Sequence, residues 1–280
     1  MSDAVLVDRR DGLVTVTFNR PHKKNALNAN SWNQLDAILT EVEVEPADRA
    51  LVLTGSGGSF SSGADLSGGM DDGKGSSASD KDGDKGGKDK GGLTGRGRQL
   101  VLSEMRIVGQ IVSRLKRLSK PTIAAVDGVA VGVGLGLAMA CDLIVASDRA
   151  TFSEIFVKRG LALDGGASWS LPQSVGIRRA KQMAFFGEPI DAETALAWGL
   201  INEVVPADEL EATATEWGLR LASGPTAALS LTKRLLDSEA GFEEAIEDEA
   251  RAQHICFTTR DMAEGIASFL ERREPKFTGQ

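Results

Sequence analysis

The chain reads as an α/β protein with parallel strands, and three observations carry that reading. Strand-like and helix-like runs alternate through its first half, as they do when helices return the chain across a sheet. The strands after the first are short and apolar, as buried strands are. Past residue 176 the pattern becomes helical, punctuated by Gly199, Pro206, Gly224-Pro225 and Gly241.

Each element has its own signal. Leu13-Val-Thr-Val-Thr-Phe18 alternates and predicts a strand, followed by the turn residues Asn19-Arg-Pro21. Ser31 is placed to cap a helix with Trp32, Leu35, Ile38 and Leu39 on one face. Residues 50–54 form a short buried strand that runs into Gly55-Ser-Gly-Gly58. From about Gln99 to Leu118, Leu102, Met105, Val108, Ile111, Val112 and Leu115 recur at helical spacing. Residues 121–126 and 143–146 are strands. Between them, residues 132–140 are small and apolar all round, as in a fully buried helix. Helices are predicted over 192–197, 207–222, 226–237, 242–255 and 260–272. Several are amphipathic, so their apolar faces need the α/β layer or another subunit as partner.

Residues 68–97 stand apart, with eleven glycines and six acidic side chains balancing six basic ones. Such a stretch cannot repay its ordering entropy and is expected to be a flexible surface insertion. The chain therefore divides into an α/β core over 1–67 and 98–200, the insertion over 68–97, and a helical region over 201–280.

Composition removes several function classes. The 280 residues carry 32 basic and 40 acidic side chains, a net charge of −8. That balance disfavours nucleic acid and anionic membrane surfaces as partners. Two cysteines, Cys141 and Cys256, make no disulfide framework, and two histidines make a Cys/His metal cluster improbable, so no metal is expected. Both counts suit a reducing cytoplasm. No basic-then-apolar leader and no long uncharged apolar run is visible.

The usual nucleophile, zinc and phosphate-loop motifs are missing, and His22 and His254 read as partly exposed structural residues. Two glycine turns are more informative. Gly132-x-Gly134-x-Gly136 follows a strand and opens a helix, but a dinucleotide fingerprint needs glycine at 137, which is Leu137. The small residues instead let a helix start press against another backbone, with free N–H groups aimed at a ligand. The second turn, Phe60-Ser-Ser-Gly63-Ala64-Asp65-Leu66, follows the strand at 50–54. Two such loops can bring two main-chain donors to one oxygen, an oxyanion hole.

Asn19-Arg-Pro21, Asn25-Ala-Leu-Asn28, the Phe60–Leu66 turn, Asp127-Gly-Val-Ala-Val-Gly132 and Ala140-Cys-Asp142 stand in the order found in one family. So do Phe152-Ser-Glu154, Gly160-Leu-Ala-Leu-Asp-Gly-Gly166, Ala195-Leu-Ala-Trp-Gly-Leu-Ile-Asn202 and Arg273-Glu-Pro-Lys-Phe277. Together they resemble the enoyl-CoA hydratase/isomerase (crotonase) superfamily over nearly the whole chain outside the insertion. The resemblance implies a spiral of β-β-α units with a C-terminal helical trimerisation region. It further implies an acyl-CoA thioester substrate, no cofactor beyond the coenzyme A that the substrate carries, and a homotrimer or dimer of trimers.

The resemblance also assigns roles. The oxyanion amides fall at Ala64 and Val133. Substrate and CoA contacts fall at Lys24, Ala26, Asp65, Leu66, Gly132 and Phe156, with Lys23 beside them. Where hydratases of the family use two glutamates, this chain has Gly136 and Phe156, which puts ordinary hydration in doubt. Glu154 lies two residues before Phe156, which on a strand would return it to the same face. Asp164 matches the place where double-bond-shifting members carry a single acid/base carboxylate. Phe156, Leu161, Leu163 and Trp169 are its apolar neighbours in sequence and are expected to wall the site. The resemblance thus favours isomerisation of 3-enoyl-CoA to 2-enoyl-CoA. Hydration through Glu154, an aryl-CoA ring isomerisation, and a non-catalytic acyl-CoA-binding trimer remain the alternatives.

Overall fold

Asp11 and Gly12 both take left-handed backbone conformations, and that tight turn starts the fold. A computed structural model describes residues 3–66 and 95–280 of the chain. The turn joins β1 (Val5–Arg10) to β2 (Leu13–Phe18) as an antiparallel pair, with Arg10 opposite Leu13. Helix α1 (Ala29–Val44) follows. Its cap is Asn28, whose side chain accepts from the Ser31 N–H and Oγ, so the helix begins before Ser31.

β3 (Ala50–Gly55), β4 (Thr122–Val126), β6 (Leu143–Ser147) and β9 (Glu203–Val205) extend the sheet in parallel, in the order β1-β2-β3-β4-β6-β9. Both faces of its middle are covered. Leu51, Leu53, Ala124 and Val126 enter the main core, while Ala50, Val52, Ile123 and Ala125 enter a second one. Their alternation is hidden because every position is apolar. Helix α7 (Leu210–Ala222) closes the second core with Leu210, Ala214 and Ala222.

A smaller sheet carries the rest of the architecture. β5 (Val129–Val131) pairs in parallel with β7 (Thr151–Ser153), which pairs antiparallel with β8 (Ile190–Asp191). Helix α3 (Val133–Ala140) leaves β5 after one residue and is buried at all of its positions, as its composition requires.

Helix α2 (Gly95–Arg117) precedes β4. Residues 68–94 of the expected insertion lie outside the described residues. Gly95–Gly97 already belong to α2, so the boundary expected at 97 falls inside the helix. Helix α4 (Ala167–Val175) packs on α3 and on α5 (Ile177–Phe186), while α6 (Ala192–Trp198) packs on β7 and β8 of the small sheet. Helices α8 (Thr226–Leu236), α9 (Phe242–Cys256) and α10 (Arg260–Glu271) end the chain. They leave Leu236, Phe242, Phe257, Phe269 and Leu270 exposed on the single chain. Asp261 is buried and anchors the terminus by accepting from the N–H groups of Thr278 and Gly279. Among the described residues, no helix is long and apolar enough to cross a membrane.

Candidate active site

The site starts from a backbone strip at residues 61–65 laid between two others. Ser61 makes a parallel bridge to Ala130 of β5, and Ala64 makes one to Leu27. In the second bridge, Leu27 donates to the Gly63 carbonyl and Asp65 donates to the Leu27 carbonyl, at 2.8 and 2.9 Å. The residue between the two bonded flanks turns its own N–H to the opposite side. The Ala64 amide is therefore directed away from Leu27 and finds no acceptor among the described residues. Ser61 fixes the turn from within, its Oγ donating to the Asn25 carbonyl at 2.9 Å and accepting from Gly63 N–H at 3.2 Å.

The second amide belongs to Val133, the first residue of α3. A helix start leaves its leading N–H groups unpaired, and Gly132 before it has no side chain to cap them. Gly132 has a φ of +55°, a conformation natural to glycine, and donates its own N–H to the Ser153 carbonyl at 2.8 Å. The adjoining turns are close enough to exclude side chains. A methyl group on Gly63, whose φ is +90°, would lie 2.8 Å from the Val131 carbonyl and 3.9 Å from the Val133 nitrogen. One on Gly134 would lie 2.7 Å from the Ser61 carbonyl. The structure thus brings Gly63-Ala64 and the head of α3 together.

Asp164 arrives from a third direction, on the loop before α4. It is half-buried, and its Oδ1 accepts from the N–H of Gly165 at 2.7 Å. No described residue donates to Oδ2, which leaves that oxygen open for a proton. Gly165 rests on Val133: a methyl group on it would lie 2.9 Å from Val133 Cγ2 and 3.3 Å from Val133 Cα. The carboxylate-bearing loop therefore sits on the residue that supplies the second amide.

The other expected residues distribute as follows. Phe156 is half-buried with its ring edge over Gly132, 3.5 Å from the position of a methyl there. Ala26 is buried in the strip beside Leu27, Lys24 is exposed in a left-handed turn, and Leu66 is exposed. Asp65 accepts from Arg20 Nη2 at 2.8 Å, so its carboxylate holds the turn. The expected apolar wall around Asp164 is incomplete. Leu163 packs against the core, but Leu161 is 55% and Trp169 40% exposed. Trp169 lies on α4 and donates through Nε1 to Glu239.

Glu154 departs from expectation. Residues Ile155–Arg159 form a 3-10 helix, so the strand ends before Phe156 and the two-residue spacing does not place both side chains on one face. Phe156 turns to Gly132. Glu154 turns inward, is 0% exposed, and neither carboxyl oxygen has a hydrogen-bond partner among the described residues. Burial pushes its pKa up to about 8. Periodicity missed this because it presumed a continuing strand. Cys141 is likewise buried, and burial raises its thiol pKa to about 12, far from a reactive thiolate.

The family model for enoyl-CoA hydratase/isomerase matches residues 8–90 and 85–280. A 1,2-epoxyphenylacetyl-CoA isomerase of Escherichia coli is 34% identical over 100% of both chains. A trans-2-decenoyl-[acyl-carrier-protein] isomerase of Streptococcus mutans is 30% identical, covering 99% of this chain and 98% of that one. The crystal structure of an enoyl-CoA hydratase from Bacillus anthracis superposes with a TM-score of 0.86 at 27% identity, over 99% of this chain and 100% of that one. Its fold is the crotonase-like α/β fold that the ordered motifs imply. With the family model spanning the strip, the head of α3 and the Asp164 loop alike, this chain belongs to the enoyl-CoA hydratase/isomerase family.

Proposed function

We propose that the chain isomerises 3-enoyl-CoA thioesters to 2-enoyl-CoA thioesters with Asp164 as its single acid/base. The observation that carries this reading is the stacking of Gly165 on Val133, which packs the loop that carries Asp164, with one carboxylate oxygen not engaged by any described residue, against the head of α3. The Ala64 and Val133 N–H groups hold the thioester oxygen and make the C2 proton more acidic. Asp164 Oδ2 takes that proton, and the electron pair spreads over C2, C3, C4 and the thioester oxygen as a dienolate. The same proton returns to C4, and the double bond settles between C2 and C3. No water enters, so one carboxylate suffices.

Two features support isomerisation over hydration. Gly136 and Phe156 carry no proton-transferring group, and Glu154 is closed off from solvent. Lys24, Ala26 and Leu66 line the approach for the CoA moiety, with coenzyme A entering as part of the substrate. A second reading, isomerisation of an aryl-CoA through the same enolate, is favoured by the full-length similarity to the Escherichia coli isomerase. The exposed apolar side chains of α8–α10 support assembly as a homotrimer or a dimer of trimers. An acidic surface supports neither nucleic acid nor membrane as a partner, and a cytoplasmic location fits the free thiols.

The test is Asp164→Asn assayed with 3-enoyl-CoA and, in parallel, with aryl-CoA substrates. Turnover falls by about 1,000-fold or more if Asp164 is the base. Near-normal turnover rejects the assignment. Thioester binding with neither turnover nor C2 proton exchange in the unaltered protein would make it an acyl-CoA-binding protein instead.

A further inference from the structure

We propose that Gly136 is a positioning residue for Asp164: its missing side chain is the socket into which the Asp164–Gly165 loop seats. The proposal rests on the reading of Asp164 as the base and adds what holds it in place. Glycine inside a helix is unfavourable by propensity, so its presence in α3 calls for a contact that needs it. Gly134 has such a contact in Ser61. For Gly136 the contact is the loop, since a methyl group there would lie 2.5 Å from the Gly165 carbonyl oxygen and 3.2 Å from Gly165 Cα. The opposing residue is also glycine, with a φ of +63°, so two backbones meet with nothing between them.

Which side gives way decides the effect of a substitution. Every residue of α3 is buried, and Gly134 is locked against Ser61, so the helix cannot retreat. The loop is softer, with Leu161, Ala162 and Gly166 exposed. Displacing Gly165 carries Asp164 with it, because the Gly165 N–H is bonded to the Asp164 carboxylate. A shift of about 1 Å is enough to cost a catalytic group roughly 100-fold in rate. A side chain at 136 and a productive Asp164 therefore exclude one another. A carboxylate introduced by Gly136→Glu displaces Asp164 and does not create a two-carboxylate site.

The experiment compares Gly136→Ala with Gly109→Ala, whose added methyl meets nothing within 4 Å. Expected for Gly136→Ala is a fall in kcat on 3-enoyl-CoA of about 100-fold, with KM within threefold and a folded chain that still melts cooperatively. Gly109→Ala should keep both parameters. Turnover of Gly136→Ala within twofold of the parent, a loss carried by KM, or an unfolded variant each overturns the proposal. Asp164→Asn separates the two claims. If it is inactive while Gly136→Ala is normal, the base stands and the socket falls; if it is active, the base itself is wrong.

Discussion

Arg20 and Asp65 are joined across the site turn by a 2.8 Å ion pair in which the side chains are 16% and 9% exposed. Arg20 also donates to the Ala26 carbonyl through Nη1, so one guanidinium fastens the segment after β2 to the strip bearing Ala64. Breaking a largely buried pair leaves one charge uncompensated. Asp65→Ala should cost about 2 kcal/mol of stability by urea unfolding and should lower kcat/KM as the Ala64 amide loosens. A double-mutant cycle with Arg20→Met measures the coupling; additive effects would show that the pair does not act as a unit.

Gly63 can be tested against Gly160. Both have positive φ, +90° and +67°, but an added methyl on Gly63 meets Val131 while one on Gly160 meets nothing. Gly160→Ala should cost about 1 kcal/mol from backbone strain alone. Gly63→Ala should cost about 3 kcal/mol and lower kcat, because relieving the contact moves the strip that carries the Ala64 amide. Thermal melts and turnover on one substrate check both.

Glu154 makes stability depend on pH. Its carboxyl titrates at about 8 in the folded chain, above its ordinary value of 4.5. The folded state therefore holds a proton that the unfolded state releases between those limits. Stability is full below the ordinary value, declines as pH rises, and levels off above about 8, with a total on the order of 5 kcal/mol. Glu154→Gln should remove that decline, so the variant gains on the parent at pH 8 and not at pH 4. Parallel urea titrations across this range check it; matching slopes would show that the acid is solvated.

The C-terminal helices predict assembly. Phe242 is 76% and Phe269 80% exposed on the single chain, which is costly for aromatic side chains left in water. Sedimentation should give a multiple of the chain mass. Phe269→Lys should shift the distribution toward smaller species, and an unchanged distribution would show that α10 lies outside the interface.

Much of this was legible in the sequence, for physical reasons. The strand at Leu13–Phe18 alternates and the helix at Val133–Ala140 is apolar all round, so each names its own environment. The Ala64 and Val133 turns were legible because glycine stands where backbones nearly touch. Other elements were hidden. β1 alternates weakly, although Asp11-Gly12 is a hairpin signal that points to it. β5, β7 and β8 are two or three residues long, too short for a period to register. The 3-10 helix after Glu154 broke a spacing argument that assumed a strand. The Gly136–Gly165 contact joins residues distant in sequence and leaves no periodic trace.

The head of α3 has one more consequence. A helix whose every residue is buried should hold its amide protons against solvent deuterium for as long as the fold lasts. The leading N–H groups of α3, Val133 first among them, find no acceptor among the described residues and should be a leak at the head of that segment, labelling early in the free protein. A thioester seated there would plug it, giving a readout of occupancy that requires no turnover.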